Sequence, residues 1–321
     1  MSERIFVTGA SGQIGLPLIR ELVRQGHSVV GLVRTKEHEG AVRDAGAEVI
    51  SGSLTDAAAV EGGLRGADRV FHLAGGTRGA GAETADVMNR AGTEALLAAA
   101  RKYPLKAFVF ASSSAVYGQR AGFWVPEDFA PKPDTNYGRA KLAAEEALMG
   151  AYRSDGFPVI ITRIGPVYGP GIRFMMVDRM KAGNAYLPGE GLNQIPVVHI
   201  DDCVNALIAV GQRGKVGEVY HIAGKSTPLM KEFYTEVHRL AGGTPVRFFS
   251  TWVPSFFQKK FAEINERVCE KINRKPRFTL DNLTIFQQSV RLRTDRLEKE
   301  LAFTWKYPDH KDGLAACFAS P

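Results

Sequence analysis

An apolar run turns directly into a glycine-rich loop and then into an amphipathic stretch: Ile5-Phe6-Val7-Thr8, Gly9-Ala10-Ser11-Gly12-Gln13-Ile14-Gly15, then Leu18, Ile19, Leu22 and Val23 at helical spacing. A strand that passes so tightly into a helix reaches its next partner strand only through a crossover, which commits the chain to parallel pairing. Glycines let the backbone turn and let a phosphate come close, and a helix N-terminus offers free N–H groups. Gly9, Ser11, Gly12, Gln13, Ile14 and Gly15 therefore read as a cradle for a pyrophosphate. Strand-like runs near 3–8, 28–33, 47–51, 69–74, 106–112 and 158–163 alternate with helical stretches, the pattern of an α/β doubly wound parallel sheet covered on both faces. The pattern loosens after about residue 164. We expect a dinucleotide-binding domain over 1–165 and a smaller mixed α/β substrate-binding lobe over 166–321, with the chain crossing back to the sheet.

Tyr137 and Lys141, in NYGRAKLAAEEAL, are four apart in a helical pattern and so share a face. A lysine charge beside a tyrosine hydroxyl favours the phenolate, as a general acid/base working on an alcohol or ketone requires. Tyr307 and Lys311 have the same spacing, but Pro308 lies between them and no helical pattern follows. The second pair is therefore read as chance.

The strand Ser28–Val33 ends in Arg34-Thr35-Lys36. A site for NAD usually places an acid there for the ribose 2′-hydroxyl. Arg34 instead suits the 2′-phosphate of NADP, because a guanidinium forks onto phosphate oxygens, and Lys36 adds charge nearby.

At 321 residues and 45% hydrophobic content the chain has enough apolar surface for a large core. Its net charge of +7 suits an anionic cofactor, but no basic stripe or module of the nucleic-acid-binding kind is present. No apolar run approaches the length that spans a bilayer, and no signal-peptide pattern precedes the first strand, so a cytoplasmic enzyme is expected. Cys203, Cys269 and Cys317 are odd in number and far apart, which suggests neither a disulfide framework nor a zinc site. His199, Asp201 and Asp202 are read as a strand running into a helix capped by an aspartate, with no metal. His72 and His221 are read as packing residues. Trp252, Phe256, Phe257, Lys259 and Lys260 set aromatics beside lysines, a composition that suits peripheral contact with a bilayer.

Taken in order, TGASGQIG, VFHLAG at 70–75, SSSAVYG at 112–118, YGRAK at 137–141, RIGPVYGPG at 163–171 and VVHIDD at 197–202 resemble the extended short-chain dehydrogenase/reductase family over nearly the whole chain. The resemblance implies a Rossmann-type fold and catalysis by Ser113, Tyr137 and Lys141, with Asn89 supporting a proton relay through water. It places Leu54, Leu73, Ala74 and Gly75 beside the dinucleotide and gives Lys141 a second role at the nicotinamide ribose. Substrate contacts are expected at Ser113, Pro166, Val167 and Tyr186, and at Ser114, although strand-end hydroxyls are the simpler account of Ser112 and Ser114. Phe174, Met175, Met176, Tyr186 and Leu187 line an adaptable apolar pocket or fill the core of the lobe. The helices over 91–100 and after Tyr137 commonly form a dimer contact in this family, so a homodimer is expected.

Within the family, dehydratases place an acidic pair directly after the serine or threonine, where this chain has Ser114 and Ala115. Sugar-nucleotide enzymes usually carry an asparagine three residues after the arginine of RIGPVYGP, where this chain has Pro166, and an arginine where it has Gln194-Ile195-Pro196. The aromatic and basic stretch over 251–278 resembles the branch of hydroxysteroid dehydrogenases and dihydroflavonol reductases, although Ala302 replaces that branch's glycine. The leading expectation is an NADP-dependent oxidoreductase acting on a carbonyl or secondary alcohol of a fairly apolar substrate. The alternatives are an NDP-sugar epimerase with tightly bound NAD and a cofactor-binding regulatory protein without catalysis.

Overall fold

The computed structural model describes residues 2–76, 86–120, 122–172, 175–249, 260–261, 264–265, 268–269 and 288–319. Its centre is a seven-stranded sheet of β1 (Arg4–Thr8), β2 (Ser28–Val33), β3 (Glu48–Ser51), β4 (Arg69–His72), β5 (Ala107–Ser113), β6 (Val159–Ile164) and β7 (Val219–Ile222). All neighbours pair in parallel, in the spatial order β7-β6-β5-β4-β1-β2-β3. The order reverses between β1 and β4. In open parallel sheets, that reversal opens a crevice at the carboxyl ends of the strands.

Alternation along each strand builds two apolar layers. Ile5, Val7, Val29, Val109 and Ile160 face α1 (Gly15–Arg24) and a helix over Ile200–Arg213, whereas Phe6, Val30, Val70, Phe108, Phe110 and Ile161 face α3 (Ala57–Leu64), α4 (Gly92–Ala100) and α5 (Asn136–Asp155). The remaining short helix on this half, α2, covers Glu39–Asp44. Leu96 and Leu148 are fully buried in the second layer, and trimming either to alanine costs about 2–5 kcal/mol.

Six of the seven strands fall where the sequence places them. The seventh gives the expected return of the chain to the sheet a place that the sequence reading does not assign: Val219–Ile222 pairs with β6 through Val219↔Ile161 to Ile222↔Ile164. This strand follows the start of the lobe, where the strand–helix alternation has already loosened. The helix before it, α6 (Ile200–Arg213), lies against the same sheet. The lobe itself has a separate core around Tyr168, Met180, Leu187, Phe233, Val237 and Leu314. Two-residue and three-residue parallel ribbons stitch it together: Val167–Tyr168 with Val198–His199, Tyr186–Pro188 with Arg247–Phe249, and Trp124–Val125 with Arg291–Leu292.

Candidate active site

The cradle is built from β1 and the start of α1. Gly9 has φ +69°, and a Cβ there would lie 2.6 Å from the Ala74 nitrogen and 2.7 Å from the Leu73 carbonyl carbon. Only glycine lets β1 turn there against the end of β4. The Gly12 N–H donates to the Gly9 carbonyl at 2.9 Å and closes the turn. A Cβ on Gly15 would lie 2.2 Å from that same carbonyl oxygen. No side chain caps the N-terminus of α1. A bare helix start behind a loop with no room for a side chain at Gly9 or Gly15 is what a pyrophosphate requires, so these residues fit a dinucleotide.

The acid/base pair comes from α5. Thr135 caps the helix, its Oγ1 accepting from the Gly138 N–H at 3.0 Å, which puts half-buried Tyr137 in the first turn and Lys141 in the second. Lys141 is only 3% exposed. Its ammonium donates to the Ala111 carbonyl on β5 at 2.9 Å and lies 4.8 Å from the centre of the Phe110 ring. Burial holds Lys141 down at about 8, opposed by the negative charge of Glu145 one turn on. Ser113 ends β5, and its Oγ accepts from the Ala115 N–H at 3.2 Å, leaving the hydroxyl proton to be donated.

Asn89 is fully buried in a π-helical turn, Val87–Ala91, a local widening that recurs at functional sites. Its Oδ1 accepts from the Gly76 N–H at 3.2 Å. A Cβ on Gly75 would meet this oxygen at 2.6 Å and Lys141 Nζ at 2.9 Å, so Gly75 threads between the two side chains. A 470 Å³ cavity joins these parts. Gly9, Gly12, Gln13, Ile14 and Gly15 form one side, Leu73 and Gly75 the floor, and Ser113, Tyr137, Lys141, Pro166 and Val167 the other side. Gly76, Ala111, Ser112, Ile164, Gly165 and Ile172 also line it. Ser112 reads in the sequence only as a strand-end hydroxyl, and the other five are not singled out there.

The other expected site residues are not among those lining this cavity. Ala74 supports Gly9 from behind, Ser11 is half-buried in the loop, and Leu54 packs against Gly92 on α4. Ser114 is buried just beyond β5. Arg34 is exposed directly after β2 and makes no ion pair among the described residues. Tyr186 is 46% exposed on its ribbon, while Met176 and Leu187 pack in the lobe core. Phe174 and the side chain of Met175 lie outside the described residues, as do Trp252, Phe256, Phe257 and Lys259.

Two buried networks underlie the site. In the first, the Ala74 N–H donates to Thr8 Oγ1 at 3.3 Å, Thr8 faces His72 Nδ1 at 2.7 Å, and His72 Nε2 faces Thr93 Oγ1 at 2.9 Å. Thr93 in turn donates to the Asn89 carbonyl. A carbonyl only accepts, so the Thr93 proton is committed and His72 must carry its proton on Nε2. Burial first, and then the Lys141 charge, hold His72 down at about 3, so it stays neutral. Its reading as a packing residue is thus too bland: it is the hinge of a directed chain that ends at Asn89.

The second network centres on Arg163. Its Nη2 and Nε bind Glu145 at 2.7 and 3.1 Å, and its Nη1 donates to the Tyr117 hydroxyl at 2.6 Å. His221 Nδ1 lies 2.7 Å from the Arg293 carbonyl and must donate to it, so Nε2 accepts from the Tyr117 hydroxyl at 2.5 Å. Burial pushes Tyr117 up to about 12 and holds His221 down at about 3, which fixes these directions. Ser112 donates to Glu145. Glu145 had a sequence signal that went unread, an acid four residues after Lys141 on the buried face of an alanine-rich helix.

The His199-Asp201-Asp202 group also departs from expectation in detail. The cap of α6 is His199, whose Nδ1 accepts from the Asp201 N–H at 3.2 Å. The Asp202 carboxylate instead accepts from the backbone N–H groups of Lys306 and Tyr307 at 2.6 and 2.9 Å, tying the C-terminal segment down. No metal-binding cluster occurs among the described residues. No helix among them is long and apolar enough to cross a membrane.

A model of a family described as NAD dependent epimerase/dehydratase matches residues 5–223. A 4-hydroxy-2-methyl-3-oxo-4-farnesyl-3,4-dihydroquinoline-1-oxide ketoreductase of Stigmatella aurantiaca is 26% identical, over 98% of this chain and 95% of its own. A dTDP-glucose 4,6-dehydratase of Streptomyces niveus is 30% identical, over 69% of this chain and 72% of its own. Among solved structures, UDP-glucuronic acid 4-epimerase from Bacillus cereus, in complex with UDP-glucuronic acid and NAD, shares the fold with a TM-score of 0.78. Its identity is 23%, over 98% of both chains.

Proposed function

The chain belongs to the NAD-dependent epimerase/dehydratase family, and from that premise we propose that it moves a hydride between a nicotinamide dinucleotide and a secondary alcohol or carbonyl carbon. One observation carries this reading: the glycine cradle, Ser113, Tyr137 and Lys141 open into a single cavity. Gly9, Gly12 and Gly15 with the start of α1 would hold the pyrophosphate, and Lys141 the nicotinamide ribose, with Asn89 supporting a proton relay through water. When bound, the dinucleotide supplies the hydride donor or acceptor. The residues of the chain do the rest: Ser113 holds the substrate oxygen by a hydrogen bond, Tyr137 gives or takes its proton, and the Lys141 ammonium binds the nicotinamide ribose.

The reaction built on this step follows one of two readings. The family description and the sugar-nucleotide relatives favour an NDP-sugar epimerase, in which one carbon is oxidised and re-reduced on a cofactor that stays bound. Pro166 favours the second reading, release of oxidised cofactor by a reductase of a less polar ketone. It lines the cavity without a side-chain donor or a backbone N–H, at the position where a sugar diphosphate is usually met. The full-length relationship to a ketoreductase supports this second reading. Nicotinamide absorbance separates them: a reductase consumes NADPH or NADH mole for mole with substrate, and an epimerase converts UDP-hexose or dTDP-hexose with no net change. Neither behaviour, across nucleotide sugars and apolar ketones, would overturn the proposal and leave a non-catalytic binding protein.

For the cofactor, Arg34 supports NADP through the 2′-phosphate, whereas the B. cereus epimerase was solved with NAD. A homodimer through the outer faces of α4 and α5 belongs to the same reading, and sedimentation velocity tests it.

A further inference from the structure

Two consecutive residues of β5 grip two consecutive turns of α5. The Ala111 carbonyl takes the Lys141 ammonium at 2.9 Å, and the Ser112 hydroxyl donates to the Glu145 carboxylate. The next residue on the strand is Ser113. From the neighbouring strand, Arg163 stands opposite Ser112 in register and binds Glu145 through Nη2 and Nε. All four charged or hydroxyl side chains are buried: Ser112 4%, Lys141 3%, Glu145 3% and Arg163 6% exposed. An ion pair this deep offers little stability over apolar packing, so its place one turn from the cavity's ammonium calls for another account.

We propose that Glu145, clamped between Ser112 and Arg163, is a positioning residue for Lys141. It fixes the helical turn that carries the ammonium and supplies the negative charge that keeps that ammonium protonated inside a buried site. The inference rests on the proposed role of Lys141. The groups facing Lys141 are few: Tyr137 and Glu145 on its own helix, the Ala111 carbonyl and the Phe110 ring on β5, neutral His72 on β4, and Asn89 on the π-helical turn. Arg163 on β6 is turned to Glu145 and Tyr117. Glu145 is the one anion among them, and its charge acts on Lys141 against the effect of burial.

The test reads the Lys141 amine directly. Full-length protein without cofactor is acylated with a trace of acetic anhydride across pH, and the Lys141 peptide is quantified by mass spectrometry. In parallel, turnover is followed across pH at saturating cofactor. Glu145→Gln removes the charge and keeps one acceptor oxygen, while its amide NH2 group replaces the other acceptor. Its acylation midpoint and the alkaline limb of turnover are both expected to move down by about one pH unit. Because a lone buried Arg163 threatens folding, the pair Glu145→Gln with Arg163→Gln carries the same measurement in a neutral setting. Ser112→Ala leaves the charge in place and is expected to lower turnover several-fold with the midpoint unmoved. A folded pair variant whose acylation midpoint matches the parent overturns the inference. If Lys141→Met keeps full turnover, the proposed function fails instead, while the acylation midpoint still reports on Glu145.

Discussion

Lys141 directs one N–H to the Ala111 carbonyl, 2.9 Å away on the strand that ends in Ser113. One contact therefore sets the position of the ammonium relative to both Ser113 and Tyr137. The amine is held down at about 8 by burial, so its charge is complete below that pH and is lost as pH rises through it. Turnover is expected to fall along an alkaline limb near this value. Lys141→Met should abolish the limb, lower turnover about a hundredfold or more, and weaken dinucleotide binding measured by fluorescence.

Tyr137→Phe removes the one phenol that lines the cavity among the described residues. Turnover is expected to drop about 10²–10⁴-fold, the range for losing a positioned acid/base, with dinucleotide affinity nearly unchanged. A variant that turns over like the parent would exclude Tyr137 as the proton carrier.

Arg34→Asp replaces an exposed cation at the end of β2 with the acid that suits a ribose 2′-hydroxyl. NADP affinity should fall about tenfold to a hundredfold, the size of one or two charged hydrogen bonds, with NAD affinity equal or better. Calorimetric titration with each dinucleotide checks this, and an unchanged ratio of affinities assigns the 2′-phosphate contact elsewhere.

His72 and His221 are both fully buried and neutral, held down at about 3 against 6.5 when free. Between these values the unfolded chain binds more protons than the folded one, so stability falls as pH drops below 6.5. Near pH 5 each histidine accounts for about 2 kcal/mol of that loss. Urea unfolding near pH 7 and pH 5 measures it, and His221→Gln should flatten the dependence by its share. Equal stability at both pH values for the parent protein would contradict the directed networks drawn through these rings.

The parts legible in the sequence are those in which one residue type is forced by local geometry. Gly9 and Gly15 are forced because a Cβ would strike backbone, and the Tyr137–Lys141 pair follows from helical spacing. The first six strands show because short runs of two to five apolar residues stand between helical stretches. What stayed hidden depends on neighbours distant in sequence. Arg163 finds Tyr117 and Glu145 only after β5 and β6 pair, and His221 joins them only because β7 returns from beyond the start of the lobe. The cap of α6 was misread because either aspartate satisfies the local rule. The choice of His199 depends on Asp202 being drawn to the backbone of Lys306 and Tyr307.

The late arrival of β7 also bears on how the molecule can be cut. A fragment stopping at residue 165 would expose the backbone of β6 along its outer side, a template for aggregation, and would strand the Tyr117 hydroxyl without its imidazole acceptor. The sheet thus depends on the later segment for its outermost strand, and expression trials should keep residues beyond 165 attached.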